Sequence, residues 1–515
     1  MSKSMSKSMS KSMSVSRSLS GTLSGVGASL GLALLAAAPV MLPQQAAAFC
    51  GFFVSGADAS LSNNASQVVL LRKGNHTAMS MSNNYKGPPE DFAMVVPVPV
   101  VLQKEQVKTL APEVFQRVDQ LSAPRLVEYW EQDPCYVPPV YMEERDDSAV
   151  ERKSAEKPSR SRDEKLGVKI EAKFEVGEYQ ILILSARDSS GLDTWLRQNH
   201  YKIPKGAGQA LAPYIRDQMK FFVAKVDIKK VRRDAHGLVV LSPLRFSFDA
   251  AELRLPVRLG LLNADGQQDL LVYVLHPQKR FELANYKNVF VPTNIEVSNE
   301  VRKNFPGFYA SLFDETLRRN GGRAVVTEYS WQTTSCDPCP TPPLEASDLF
   351  TLGDDSFAGA QAPSKSSRSQ PYYGSPPSYV LTRLHTRYDQ KTLNDDLIFR
   401  EAEAVVGGRA NGSGGLGDQG AQLSGSENNF QGRYIIRHYW EGKVACQSPN
   451  YGIWGGPPGS GYSPGSSGPV EAAQDLANAP RGKVSLPAVI TSGLPAFGIA
   501  AKPRSLRPGE KPAGR

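Results

Sequence analysis

Beyond Leu42 the chain lacks any uninterrupted apolar run of the ~18 residues that a membrane-crossing helix needs. The nearest approach, Val484 to Ala501, is broken by Pro487 and Pro495 and reads as a loop. Histidine is scarce. The six in 515 residues are scattered, and no spaced pair is present to complete a zinc set. Charge of one sign is missing as well. The formal net charge is +8, but Lys3, Lys7, Lys11 and Arg17 supply four of it, and the rest is interleaved with acids. A nucleic-acid partner is therefore excluded, since it needs a basic stripe with stacking aromatics. No cofactor motif stands out. Gly206-Ala207-Gly208 opens a helix but lacks the third glycine of a dinucleotide fingerprint.

What is present begins with the leader. A basic, acid-free start is followed by a small-and-apolar run from Leu23 to Leu42 and by Ala46-Ala47-Ala48. That order is the pattern of a cleaved signal peptide. A retained anchor is the alternative, and Pro39 weighs against it. Phe49 precedes Cys50, where a lipidation signal would have a small residue. The mature protein is expected to begin near Phe49 and to be exported: periplasmic, on the outer surface, or secreted.

An exported chain matures where thiols oxidise, so its five cysteines are expected to pair. The disulfide candidates are Cys50 with Cys135 and Cys336 with Cys339, leaving Cys446 free. Cys336-Asp337-Pro338-Cys339 is the sharpest motif. A redox-active C-x-x-C needs a helix N-terminus to lower its thiol, and Pro340, Pro342 and Pro343 block one there. A structural clip is the better reading, with thiol–disulfide exchange as the rival.

The other candidates for chemistry are ordinary. Gly461-Tyr462-Ser463-Pro464-Gly465 matches a nucleophile elbow in letters only, because it lies in a Gly/Pro stretch without the required strand and helix. His438 and Cys446 could form a dyad only on one unbroken strand through Gly442. Glu90-Asp91, Asp354-Asp355 and Asp395-Asp396 read as solvated turn caps. No catalytic, cofactor-binding or metal-binding residue is assigned.

Periodicity divides the chain. After the signal peptide (1–48), a first α+β unit covers 49–142. It has a hairpin around Lys73-Gly74-Asn75 and a helix from Glu113. Residues 143–165 form a charged linker, eight acidic against seven basic, balanced enough to read as a solvated spacer. A second α+β unit (166–343) opens with strict alternation at Val168, Ile170, Ala172, Phe174 and Val176. A Ser/Pro/Gly linker (344–378), a small β-rich segment (379–448) and a disordered Gly/Pro tail (449–515) complete it. The fold class is α+β, mainly antiparallel sheets with a few short helices.

Two stretches echo each other. Asn84-Tyr85-Lys86, Val96-Pro97, a helix, Glu128-Tyr129 and Asp133-Pro134-Cys135 reappear in the same order. The second set is Asn285-Tyr286-Lys287, Val291-Pro292, a helix, Glu328-Tyr329 and Asp337-Pro338-Cys339. The tyrosines are 44 and 43 residues apart. A duplicated strand–helix–strand unit is expected, and it would place its strands and helix alike in both copies.

Phe49-Cys50-Gly51-Phe52-Phe53-Val54 and Asp91-Phe92-Ala93-Met94-Val95-Val96-Pro97-Val98-Pro99 resemble the bacterial family called domain of unknown function 2330. So do Tyr179 to Leu184, Trp195-Leu196, Tyr201-Lys202-Ile203-Pro204 and Pro243-Leu244-Arg245-Phe246. The resemblance spans roughly residues 49 to 343. It implies a secreted or envelope protein of bacteria and brings no activity, cofactor or catalytic residue. The expectation is an exported, non-enzymatic binding or surface-assembly module whose partner is an envelope protein or a glycan. The alternative is a periplasmic thiol-disulfide oxidoreductase using Cys336 and Cys339.

Overall fold

The computed structural model describes residues 52–54, 65–83, 93–135, 168–199, 201, 203, 206–233, 239–263, 267–360, 378–409, 416–458, 467–473, 479, 481–504 and 507. These fall in one contact unit, Gln45–Arg515. The leader, Cys50, Glu90-Asp91, the linker 143–165 and the 461–465 motif lie outside them.

An eleven-stranded sheet carries the fold. Its centre is Gln268–His276, parallel to Ala65–Lys73 on one side and antiparallel to Val380–Tyr388 on the other. Ala324–Gln332 follows Val380–Tyr388, and the expected hairpin is present as Ala65–Lys73 with His76–Asn83, turning at Gly74 in the left-handed region (φ +59°). Leu244–Asp249 pairs with the far side of that hairpin.

A five-stranded sheet lies over this one: Phe52–Val54, Ala93–Val98, Lys220–Val226, Tyr179–Ala186 and Val168–Val176. Successive side chains on a strand point to opposite faces, and here both faces are covered. Met94 and Val96 pack inward with Val68, Leu70, Val272 and Phe246 of the large sheet. Ala93 and Val95 pack outward under helices Ser189–Gln198 and Ala207–Arg216. The other face of the large sheet, Val69, Leu71, Leu271 and Tyr273, is covered by helices Glu113–Ser122 and Ala346–Leu352. Helix Phe305–Arg319 covers Ala324 and Val326. The α+β class with mainly antiparallel sheets holds.

The boundaries read from composition do not correspond to separate sheets. Strands from residues 65–83, 244–332 and 380–431 alternate inside the large sheet. Pairing is set by which edges bury apolar faces together, not by closeness in sequence. Within the stretch read as a linker, Ala346–Leu352 is a helix whose Leu349 and Leu352 are buried. The tail is not disordered where it is described. Leu486, Val489, Ile490, Leu494 and Ile499 join Phe305, Phe308 and Leu312 in one core cluster. Average composition hid these residues, because prolines and glycines separate them in sequence while the docked chain turns them to one side. Gly260–Asn263 forms a 3-10 turn.

The echo does not survive as a duplication. Both copies run strand, helix, strand, but Ala93–Val98 and Arg125–Glu131 lie in different sheets. Their counterparts, Lys287–Phe290 and Ala324–Gln332, are adjacent parallel neighbours. Arg125–Glu131 instead pairs with Arg433–His438, Trp454–Gly455 and Val470–Ala472.

Candidate functional site: an inter-sheet cavity beside a sealed charge centre

Of the two expected pairings, Cys336 with Cys339 is present, while Cys135 pairs with Cys446 and not with Cys50. Cys135 is bonded to Cys446, with Cα atoms 5.6 Å apart, and Cys336 to Cys339, 5.0 Å apart. Cys446 is not free. Arg433–His438 runs parallel to Arg125–Glu131, so the chains leaving both strands travel together and bring Cys446 to Cys135. A separation of 311 residues gave no clue to that. The Cys336–Cys339 clip is followed by a helix only at Ala346–Leu352. The clip thus does not open a helix whose N-terminus would favour a thiolate.

The remaining sequence candidates are structural. His438 turns from Cys446 to Glu128, with Nε2 2.7 Å from Oε2, and stacks on Trp130 at 4.2 Å. Gly206 does open a helix, with φ +86°. Asp354 accepts the Tyr379 hydroxyl, and Asp355 accepts from Arg245 at 2.8 Å. Asp396 is buried rather than solvated. It accepts from the Tyr214 hydroxyl at 2.6 Å and the Val257 amide at 3.1 Å, fastening helix Ala207–Arg216 to the turn that bears it. Among the described residues, no group of three His, Cys, Asp or Glu side chains is placed to hold a metal.

The densest polar constellation was not anticipated. On Val380–Tyr388 the side chains of Arg383, His385 and Arg387 share one face, and opposite them on Gln268–His276 stand Tyr273, Leu271 and Asp269. Pairing slips at Glu328 on the next strand, between Thr327 and Tyr329. Such irregularities re-aim side chains. Glu328 Oε1 lies 2.7 Å from His385 Nδ1, and its Oε2 accepts from Arg383 Nε at 2.6 Å. His385 Nε2 faces Asp269 Oδ1 at 3.0 Å. Both imidazole nitrogens meet carboxylate oxygens, so both must donate and the ring is the cation. Arg383 also reaches Asp119 at 2.6 Å, Arg481 bridges Asp269 and Asp314, and Tyr309 donates to Glu328. Phe313 stacks on the His385 ring at 3.9 Å.

Burial opposes charge on His385, but Glu328 and Asp269 outweigh it and raise its pKa. Burial opposes charge on Glu328 too, yet His385 and Arg383 pull its pKa down to about 2. The side chains of Glu328 and Arg383 are fully buried, and His385 is 2 % exposed. Glu328, Arg383 and His385 are thus turned on one another inside the sheet, while Arg383 Nη2 has no hydrogen-bond partner and Asp314 reaches solvent. The arrangement can hold charge and fix strand register, but it gives a substrate no approach. The signal that could have found it is the alternation Arg383-Leu384-His385-Thr386-Arg387, a charged stripe on a strand whose other face is uncharged.

Open space lies elsewhere. A cavity of about 370 Å³ is bounded by both sheets. Met79, Phe246 and Phe248 line it from the large sheet, and Pro97 at the end of strand Ala93–Val98 and Pro99 just beyond it complete the lining there. Met79 and Phe246 are register partners, so they share the inner face. Asp217, Glu252 and Arg254 stand at its lip. Arg254 donates to Glu252 and to Asp217, each at 2.8 Å. Burial alone would lower the guanidinium; those two hydrogen bonds outweigh it and raise its pKa. A larger cavity of about 630 Å³ lies under the tail. Arg319 donates to the Phe497 carbonyl, Asn320 to that of Thr316 and Gln419 to that of Gly493.

Residues 44–400 match the family described as uncharacterized proteins conserved in bacteria, DUF2330. The chain belongs to that family. No curated protein and no solved structure matches it. The DUF2330 match contains the whole inter-sheet cavity and the charge centre except Arg481. Cys446, Arg433–His438 and the docked tail lie beyond it.

Proposed function

We propose that this DUF2330 protein is an exported, non-enzymatic binding module of the bacterial cell envelope, and that it takes a small ligand in the inter-sheet cavity. The observation that carries the reading is the cavity itself. It is a concave site lined by Met79, Phe246 and Phe248 together with the charged Asp217, Glu252 and Arg254, the mix of apolar surface and a few polar groups found in small-molecule sites. The densest catalytic-looking groups, around Glu328 and His385, are sealed away from it. The floor of Phe, Met and Pro does not suit a glycan, whose hydroxyls need hydrogen-bond partners. A glycan or envelope-protein partner would bind another surface.

Export is supported by the leader pattern and by a disulfide joining residues 311 apart. Two measurements test the proposal. N-terminal sequencing of the native protein should start near Phe49, in the envelope or medium. Thermal unfolding of the mature chain should shift upward with small amphiphiles, and the shift should vanish in Ala250→Trp, which fills the cavity from its wall. An intact leader in soluble cell extract would defeat the export half, and absence of any ligand shift would defeat the binding half.

A further inference from the structure

The lip of the cavity has a sign. Asp217 and Glu252 set two carboxylates against the single guanidinium of Arg254. Arg254 engages Asp217 through Oδ2 and Glu252 through Oε1, so the second oxygen of each carboxylate is not used by the guanidinium. The two acids are half-exposed, at 49 % and 47 %, so a ligand head can reach them without burying an unpaired charge. Behind them the wall is Met79, Phe246, Phe248 and Met219, with no charged side chain. Resting on the binding role proposed above, we infer that the cavity selects a small amphiphile with a cationic head, an alkyl or aromatic amine. Its apolar body would lie between the sheets and its ammonium group at Asp217 and Glu252. About 370 Å³ is near the lower end of the ~300–1,000 Å³ of ligand sites, which suits a short body and excludes a full lipid.

The ammonium would donate to the second oxygens of Asp217 and Glu252 while Arg254 keeps its own hydrogen bonds. A carboxylate head of the same length would meet net repulsion there. Octanol, without charge, would fall between the two.

Calorimetric titration of the mature chain with octylamine, octanol and octanoate tests this. Octylamine should bind saturably and at least about tenfold more tightly than octanoate. Asp217→Asn combined with Glu252→Gln leaves Arg254 alone at the lip and should reverse that order. Arg254→Gln should tighten octylamine further. Ala250→Trp, or Met219→Trp at another lining position, should abolish binding of all three. Equal affinity for the three probes, still abolished by the blocking variants, would overturn the cationic preference and leave the binding role standing. No saturable binding by any probe, or binding indifferent to both blocking variants, would overturn the two together.

Discussion

Two glutamate–histidine pairs built from the echoed Glu-Tyr dipeptides have opposite surroundings. Glu328 meets His385 at 2.7 Å inside the large sheet, and Glu128 meets His438 at 2.7 Å near the C-terminal strands. The distances are equal. In the first pair the histidine has a second carboxylate, Asp269, and a phenyl ring, Phe313, stacked on it. In the second, the histidine side chain is 22 % exposed, stacks on Trp130, and shares Glu128 with the half-exposed Arg302. The lesson is that a contact distance does not set the worth of an ion pair. What sets it is whether water can replace a lost partner.

The largest effect expected from breaking this contrast is at Glu328. Glu328→Ala would leave Arg383 with the carboxylate of Asp119 alone and His385 with that of Asp269 alone in a buried site, at about 3–5 kcal/mol in urea unfolding. Glu128→Ala should lose about 1 kcal/mol, because its partners reach solvent. Equal losses would show that the two sites are not different environments. The disulfides extend the comparison. Cys135→Ser opens a cross-link spanning 311 residues and should cost about 2–5 kcal/mol, whereas Cys339→Ser opens one spanning 3 and should cost much less.

Acidity sharpens the same comparison. His385 has a folded pKa raised above 6.5, so its contribution is complete below about pH 6.5 and is lost as pH rises through the folded value. Glu328, lowered from 4.5 to about 2, contributes above its unfolded value and loses that contribution as pH falls toward 2. Stability followed by urea unfolding should therefore decline on the alkaline side of pH 6.5 in the native chain and less steeply in His385→Gln. A native chain with flat stability up to pH 10 would contradict the charged imidazole. The smallest effect is expected for His438→Gln, about 0.5 kcal/mol, since water can stand in for the ring.

Much of the local structure was legible. Alternation from Val168 to Val176, the Gly74 turn and the apolar spacing of Val114, Val118 and Leu121 each correspond to the element found. The candidate site was not. Met79, Phe246 and Phe248 look like ordinary strand residues, and nothing local says that two sheets part beside them. Glu328 and His385 are 57 residues apart and meet only because two strands pair across a slipped register.

By itself the chain determined its periodicities, its turns, the basic-then-apolar pattern of its first 48 residues and its lack of a long uninterrupted apolar run beyond Leu42, because each is written in neighbouring residues. Strand order, the Cys135–Cys446 bridge, the docking of Leu486 to Ile499 and the sign of the cavity lip were decided only by tertiary structure. They depend on burying faces that are distant in sequence. The free energy of that burial belongs to the assembled layers and to no single segment.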